Sequence, residues 1–314
     1  MSEARKGIMA MVAACCIWGL SSLYYKMLAH VPPLEVLSHR TLWSMLFFAL
    51  VLAVQGRLGE IGRLFRAPRV LAFVFLAAVT ISTNWFFFIF SIQTGHAVQA
   101  SLGYYIFPLV AVMLGLLFLR ERLTPLKWLA VGLAAAAVGV LTWGLGVAPW
   151  ISLVLAFSFG FYGLLKKGSP AGPVVSVTTE VLLLTPLALV WLWGVHTQGW
   201  TGLVGRNLGT FGHSLKDSLL LIVAGPLTGT PLILFSYASK RVNLSTVGLV
   251  QYINPTLQFL VATLIFREAF TPWHAIAFPL IWAALSVYSW ESLRQDRAAR
   301  RASIIAAGEG TTVI

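Results

Sequence analysis

Tyr105-Ile106-Phe107-Pro108, running on through Leu117 and Arg120-Glu121 to Thr124-Pro125, returns 147 residues later. The second copy is Tyr252-Ile253-Asn254-Pro255, running through Leu264 and Arg267-Glu268 to Thr271-Pro272. Eight of the 21 positions are identical at that single offset, with no gap. Both copies lie in apolar surroundings. A long hydrophobic chain built from two copies of one unit has the plan of a secondary transporter, in which a site forms between the halves.

Composition agrees with a membrane setting. Of 314 residues, 58% are hydrophobic and 10% charged, where soluble domains carry about 25% charge. The net charge of +12 does not point to nucleic acid, because the basic residues sit in short clusters between apolar runs and form no basic face interleaved with aromatics. The two cysteines, Cys15 and Cys16, are adjacent within an apolar run; they suit neither a metal site nor a disulfide framework and read as small packing residues. Arg5-Lys6 followed by apolar sequence up to Cys15 also resembles a lipoprotein signal. The run continues apolar to Leu23, which favours a span.

Apolar stretches of membrane-crossing length, about 20 residues, fall at 7–28, 34–55, 70–93, 97–119, 126–146, 148–166, 173–195, 217–238, 243–266 and 272–292. The expected fold is therefore an all-α membrane protein of ten transmembrane helices. Placing the N-terminus in the cytoplasm leaves only Lys26, Arg40, Arg206, Lys216 and Arg267 outside, of 22 Lys and Arg, a strong positive-inside bias. Five spans per repeat is an odd number, so the halves 1–146 and 147–292 face opposite ways, as two inverted five-helix repeats. Gly19 with Gly160, Lys26 with Lys167 and Pro32 with Pro173 extend the match at an offset of 141. The segment 293–314 is expected to be a disordered cytoplasmic polar tail, able to meet anionic lipid. The stretch from Gly194 to Lys216 reads as an outer connection or a gate.

Thr124-Pro125 and Thr271-Pro272 are helix starts, with Thr capping and Pro in the first turn. The Arg-Glu pairs just before them read as loop ion pairs. Pro108 and Pro255 fall inside spans and free the carbonyls of Tyr104 and Gln251, which must then find a side chain, water or a ligand. Two readings stand: a kink healed by neighbouring helices, or a cavity lined by Tyr104, Tyr105, Gln251, Tyr252 and Asn254.

Glu180 stands alone among apolar neighbours, at a cost of about 2.5–3.5 kcal/mol near a helix centre. It is either a proton carrier, a neutral acid or the partner of a buried cation such as Arg40 or Lys26. At offset 141 it matches His39, another titratable group, so both are candidates for proton coupling. Lys26 reads as snorkelling. Arg40 is deeper and reads as a carboxylate ligand or as Glu180's partner. Asn84 and Trp85 could line the same cavity. Small residues at Gly132, Ala135, Ala136 and Gly139 indicate close helix packing.

Trp18-Gly19, Tyr24-Tyr25-Lys26, His39-Arg40-Thr41-Leu42-Trp43-Ser44, Thr83-Asn84-Trp85, Ser101 to Ile106 and Gln251 to Pro255, with the two R-E-x-x-T-P motifs, carry a resemblance to the EamA family of drug/metabolite transporters. Within that family the stretches look most like the RarD group, described as chloramphenicol-sensitive proteins. The resemblance implies a plasma-membrane permease for small organic molecules, with a central cavity formed largely by the third, fourth, eighth and ninth spans. Substrates of this kind would be amino-acid-like metabolites or amphipathic drugs such as chloramphenicol. The partners expected are membrane lipid and a small-molecule substrate, with no nucleic acid, no cofactor and no metal. No Walker-type loop, zinc-protease motif or nucleophile elbow is present, so neither an ATP pump nor an enzyme is expected. A non-transporting scaffold or sensor is the competing reading.

Overall fold

A computed structural model describes residues 3–119, 123–167, 172–201, 209–242 and 244–309. The first-half pair Arg120-Glu121 lies outside these residues, as does part of the stretch between Gly194 and Lys216. Among the described residues the secondary structure is entirely helical. The helices are α1 (Glu3–Met27), α2 (Pro33–Val54), α3 (Gly59–Phe65), α4 (Pro68–Gln93), α5 (Ala97–Leu119), α6 (Pro125–Leu145), α7 (Trp150–Lys167), α8 (Pro173–Gln198), α9 (Leu215–Ser239), α10 (Leu244–Gln251), α11 (Ile253–Leu260) and α12 (Pro272–Glu309). A π-helical turn, Val261–Ile265, continues α11.

Eight of these helices, α1, α2, α4, α5, α6, α8, α9 and the Pro272–Gln295 part of α12, are long and apolar enough to cross a membrane. Residues 150–166 and 249–265 form shorter apolar helical segments. The last helix continues to Glu309, past the polar boundary at residue 292.

Local sequence explains where the helices begin and end. Proline occupies the first turn of α2, α4, α6 and α8, where its missing N–H costs nothing. Thr124 caps α6 by accepting from the Lys127 amide, as its sequence context suggests. At α12 the Thr271 hydroxyl pairs instead with Nδ1 of His274 at 2.8 Å. Gly146 and Gly199 end α6 and α8 in the left-handed conformation that favours glycine.

Burial is inverted relative to a soluble protein. Trp143 is 85% exposed and Val54 81%, while Glu35, Glu180 and Glu291 are buried. Large apolar side chains outside and carboxylates inside are what a lipid solvent selects. Within the bundle α5 packs on α7 and α11, α4 on α7 and α8, α1 on α9 and α11, α2 on α8 and α9, and α6 on α12.

The two proline-containing segments of the repeat differ. Helix α5 runs unbroken through Pro108. Its counterpart splits at Tyr252, so Pro255 falls in the first turn of α11, where proline is tolerated.

Candidate functional site

The residues singled out in the sequence fall into separate groups. The first surrounds Arg40 on α2. Its side chain is buried, with the guanidinium carbon 4.1 Å from the centroid of Trp85 on α4 and 5.7 Å from that of Tyr25 on α1. Beside it, Asn84 ties three helices together. Its Nδ2 donates to the Leu155 carbonyl at 3.0 Å and to Ser158 Oγ at 3.1 Å, both on α7. Its Oδ1 accepts from the Tyr104 hydroxyl of α5 at 2.9 Å.

Arg40 is the exception within this well-satisfied frame. No carboxylate pairs with it among the described residues, and its buried Nε has no hydrogen-bond partner. Cation–π contact with Trp85 and Tyr25 returns about 0.5–2 kcal/mol, well short of what a buried charge loses on leaving water.

The second group surrounds Glu180 on α8. Glu180 forms an ion pair with Lys166 at the end of α7. It also accepts from Ser176 Oγ, one turn earlier on its own helix, at 2.9 Å, and from the Tyr162 hydroxyl at 3.1 Å. Lys166 donates as well to Ser176 Oγ at 2.6 Å. Glu180 is therefore paired, but with Lys166, not with Arg40 or Lys26. Lys26 instead lies 5.2 Å from the Phe266 ring. Lys166 was legible only as a topology-determining charge, because nothing local marks a contact across the turn between α7 and α8. Phe159 bridges the two groups, stacking on Tyr162 and meeting Tyr104 edge-on.

A third group lies across the bundle. The Tyr105 hydroxyl meets Thr256 Oγ1 at 2.7 Å; since Thr256 donates to the Tyr252 carbonyl, Tyr105 is the donor. Asn254 Oδ1 accepts from Gln258 Nε2 at 3.0 Å, and Gln251 and Tyr252 flank the helix break. No hydrogen bond joins this group to Arg40, Asn84 and Tyr104 among the described residues. Adjacent tyrosines on α5 thus serve opposite sides of the bundle.

His39 joins neither Glu180 nor Arg40's aromatic frame. Its ring stacks on Phe211 at 4.7 Å and lies near Glu35 and His196, whose potential ligand atoms and its own all fall within 4.8 Å of one another. Glu35 was not singled out in the sequence, although its spacing of four from His39 puts both on one helix face. His196 carries no local signal.

The Arg-Glu motif has a role that sequence reading misses. Glu268 accepts the Ala97 and Val98 amides of α5, each at 2.8 Å, capping a helix that begins 171 residues earlier. Arg267 adopts a left-handed φ of 53° and turns the chain so that Glu268 reaches it.

Comparison with known proteins bears on this arrangement. The EamA-like transporter family matches residues 5–143. An uncharacterized transporter of Pseudomonas aeruginosa is 42% identical over 93% of this chain and 96% of its own length. Protein RarD of Streptomyces exfoliatus is 42% identical over 95% of this chain and 93% of its own. A solved structure titled only "Crystal structure of protein" shares the fold, with a TM-score of 0.58 at 18% identity, covering 90% of this chain and 96% of that one. Identity sustained from end to end with proteins named as transporters, on a bundle with lipid-type burial, places the chain in the EamA-like transporter family, as a multi-pass membrane protein similar to RarD.

Proposed function

We propose that the chain is a secondary transporter of small organic molecules that works by alternating access and catalyses no reaction. Its spans are ten, in two inverted repeats over 1–146 and 147–292, with α7 as the sixth and α10, α11 and the π turn together as the ninth. Helix α7 is about 27 Å long at 1.5 Å per residue, short enough to need slight bilayer thinning. The basic clusters favour the plasma membrane with both termini, and the segment 293–314, in the cytoplasm.

Packing supports the inverted repeat. Exchanging α1 with α7, α2 with α8, α4 with α9, α5 with α11 and α6 with α12 turns the pairs α5–α7, α4–α7 and α2–α9 into α11–α1, α9–α1 and α8–α4, all of which pack. The pairs α2–α8, α6–α12 and α5–α11 map onto themselves. The match extends to single residues. A Cβ on Gly19 would meet Leu257, and one on Gly160 would meet Val110; Val110 and Leu257 are themselves partners at the offset of 147.

The observation that carries the substrate reading is Arg40. A buried guanidinium with an unpaired Nε, flanked by Trp85 and Tyr25 and paired with no carboxylate among the described residues, suits a carboxylate on an organic molecule whose apolar part meets the aromatic rings. The substrate class is then an anionic or zwitterionic compound, such as an amino-acid-like metabolite, rather than a neutral drug. Asn84, Trp85 and Tyr104 frame Arg40, Tyr105 contributes from the other side of α5, and Gln251, Tyr252 and Asn254 contribute from the second half when the two move. Glu180 with Lys166 is the candidate for proton coupling, and the break beside Pro255 supplies the moving joint.

The test is uptake into proteoliposomes of labelled amino acids, small organic acids and chloramphenicol, with and without a pH gradient. The wild type is expected to carry carboxylate-bearing compounds and Arg40→Met to lose them. Gradient-driven movement lost in Glu180→Gln supports proton coupling, whereas equal movement gives Glu180 a structural role. Equal transport by wild type and Arg40→Met removes the substrate assignment. No transport and no binding of any compound favours the scaffold reading.

A further inference from the structure

The bundle end where α2 begins and α8 finishes holds three side chains that neither transport nor packing accounts for. Glu35 and His39 lie one helical turn apart on α2, and His196 lies in the last turn of α8. Glu35 is fully buried: its Oε1 accepts the Thr210 amide at 2.8 Å, while its buried Oε2 has no hydrogen-bond partner among the described residues. His39 is 4% exposed, and neither of its ring nitrogens has a hydrogen-bond partner among the described residues. Three orphaned polar atoms within one helical turn run against the rule that buried polar groups are satisfied, at about 1–3 kcal/mol for each that is not.

The geometry points to a site for a divalent transition metal of the zinc class, held by Glu35, His39 and His196. Two imidazoles and one carboxylate are the donors that zinc and its neighbours take, whereas calcium and magnesium take oxygen sets. The donor atoms lie within 4.8 Å of one another. Metal bonds of about 2.0–2.1 Å would draw them to about 3.3 Å apart, a movement within reach of side-chain rotation on fixed helices.

The surroundings are those of a supported ligand set. The Thr210 amide fixes one carboxylate oxygen of Glu35. Phe211, stacked on His39, holds the ring plane. Gly209 lies against the His196 ring, and a Cβ at that position would collide with it, so glycine leaves the imidazole its place. Partners of this kind fix ligand orientation in metal sites. His39, His196 and Phe211 also line an apolar cavity of about 340 Å³ beside the cluster. The ion would clamp the start of α2 to the end of α8, one residue from Arg40.

The experiment is zinc binding by the full-length chain in detergent, without a polyhistidine tag and after chelator treatment. Bound metal is counted by equilibrium dialysis, and cobalt(II) in place of zinc reports tetrahedral ligation through its visible absorption. One equivalent is expected for the wild type and for the control His274→Ala, with loss of the equivalent in His39→Ala and in the exposed-site variant His196→Ala. A melting temperature equal to that of the metal-free wild type shows that each variant is folded. Zinc should raise melting of the wild type and of His274→Ala, and leave that of His39→Ala and His196→Ala unchanged. Absence of binding by the wild type, or equal binding in folded His39→Ala and His196→Ala, overturns the assignment.

Discussion

Arg40 and Glu180 are both buried charges, yet the structure treats them differently, and the difference gives opposite expectations for mutation. Glu180 has Lys166, Ser176 and Tyr162 around it. Removing one member of such a pair leaves the other buried and uncompensated, at about 3–5 kcal/mol. Lys166→Met is therefore expected to lower the melting temperature sharply, and Lys166→Met/Glu180→Gln to recover most of the loss, as read by thermal unfolding in one detergent. Arg40 has no such partner to orphan. Arg40→Met trades about 0.5–2 kcal/mol of cation–π attraction for relief of a desolvated charge, so it should melt no lower than the wild type while losing carboxylate transport. A large fall in stability for Arg40→Met would mean that the guanidinium is a structural pin. At this scale the sequence revealed which residues were unusual but not their partners. Glu180 stood out because it sits alone in an apolar run, whereas Lys166 looked like one more charge at a membrane boundary. Glu35 was hidden in the same way, in the first turn of α2.

Single helices were far more legible, because what starts and stops them is local. Proline in the first turn, Thr124 as a cap and glycine at the ends of α6 and α8 can be read directly from the chain. What could not be read is the cap on α5, which comes from Glu268 after the ninth apolar segment. No spacing rule reaches across 171 residues. The cap closes the exposed amides of one half with a carboxylate of the other, so it joins the two repeats at that end of the bundle. Glu268→Ala is expected to cost about 1–2 kcal/mol, the upper part of the range for losing an N-terminal cap. Glu268→Gln, which keeps one acceptor oxygen, should cost less. Hydrogen exchange at Ala97 and Val98 is the direct readout. Unchanged protection in Glu268→Ala would show that the cap contributes nothing to α5. The broken segment at Tyr252 has a separate consequence. Pro108→Ala returns a donor to the Tyr104 carbonyl within a continuous helix and should slow exchange around residues 104–112, whereas Pro255→Ala, in the first turn of α11, should change little.

At the scale of the whole molecule, the proposed repeat relates the packing of the two halves without making them equivalent. Gly19 on α1 and Gly160 on α7 occupy matching places, each the point where its helix closes on a proline-bearing partner. A methyl group at Gly19 would stand 2.6 Å from the Leu257 Cβ and 3.0 Å from the Asn254 carbonyl oxygen. Both are fixed to the backbone, so α1 and α11 would have to part. The same methyl at Gly160 would stand 2.9 Å from a Leu114 Cδ and 3.2 Å from a Val110 Cγ, which are side-chain ends that can rotate away. Overpacking of a close helix contact costs about 1–3 kcal/mol, and the lower part of that range applies where the neighbour yields. Gly19→Ala should therefore destabilise the protein clearly more than Gly160→Ala, although the two substitutions are related by the repeat. The contact between α1 and α11 also lies next to the break at Tyr252, so Gly19→Ala should slow transport beyond its effect on stability, while Gly160→Ala should leave the rate near that of the wild type. Thermal melting and transport rate measured on both variants check this. Equal losses in the two would mean that the halves are mechanically interchangeable, and the asymmetry between an unbroken α5 and a divided α10–α11 would then carry no consequence for movement.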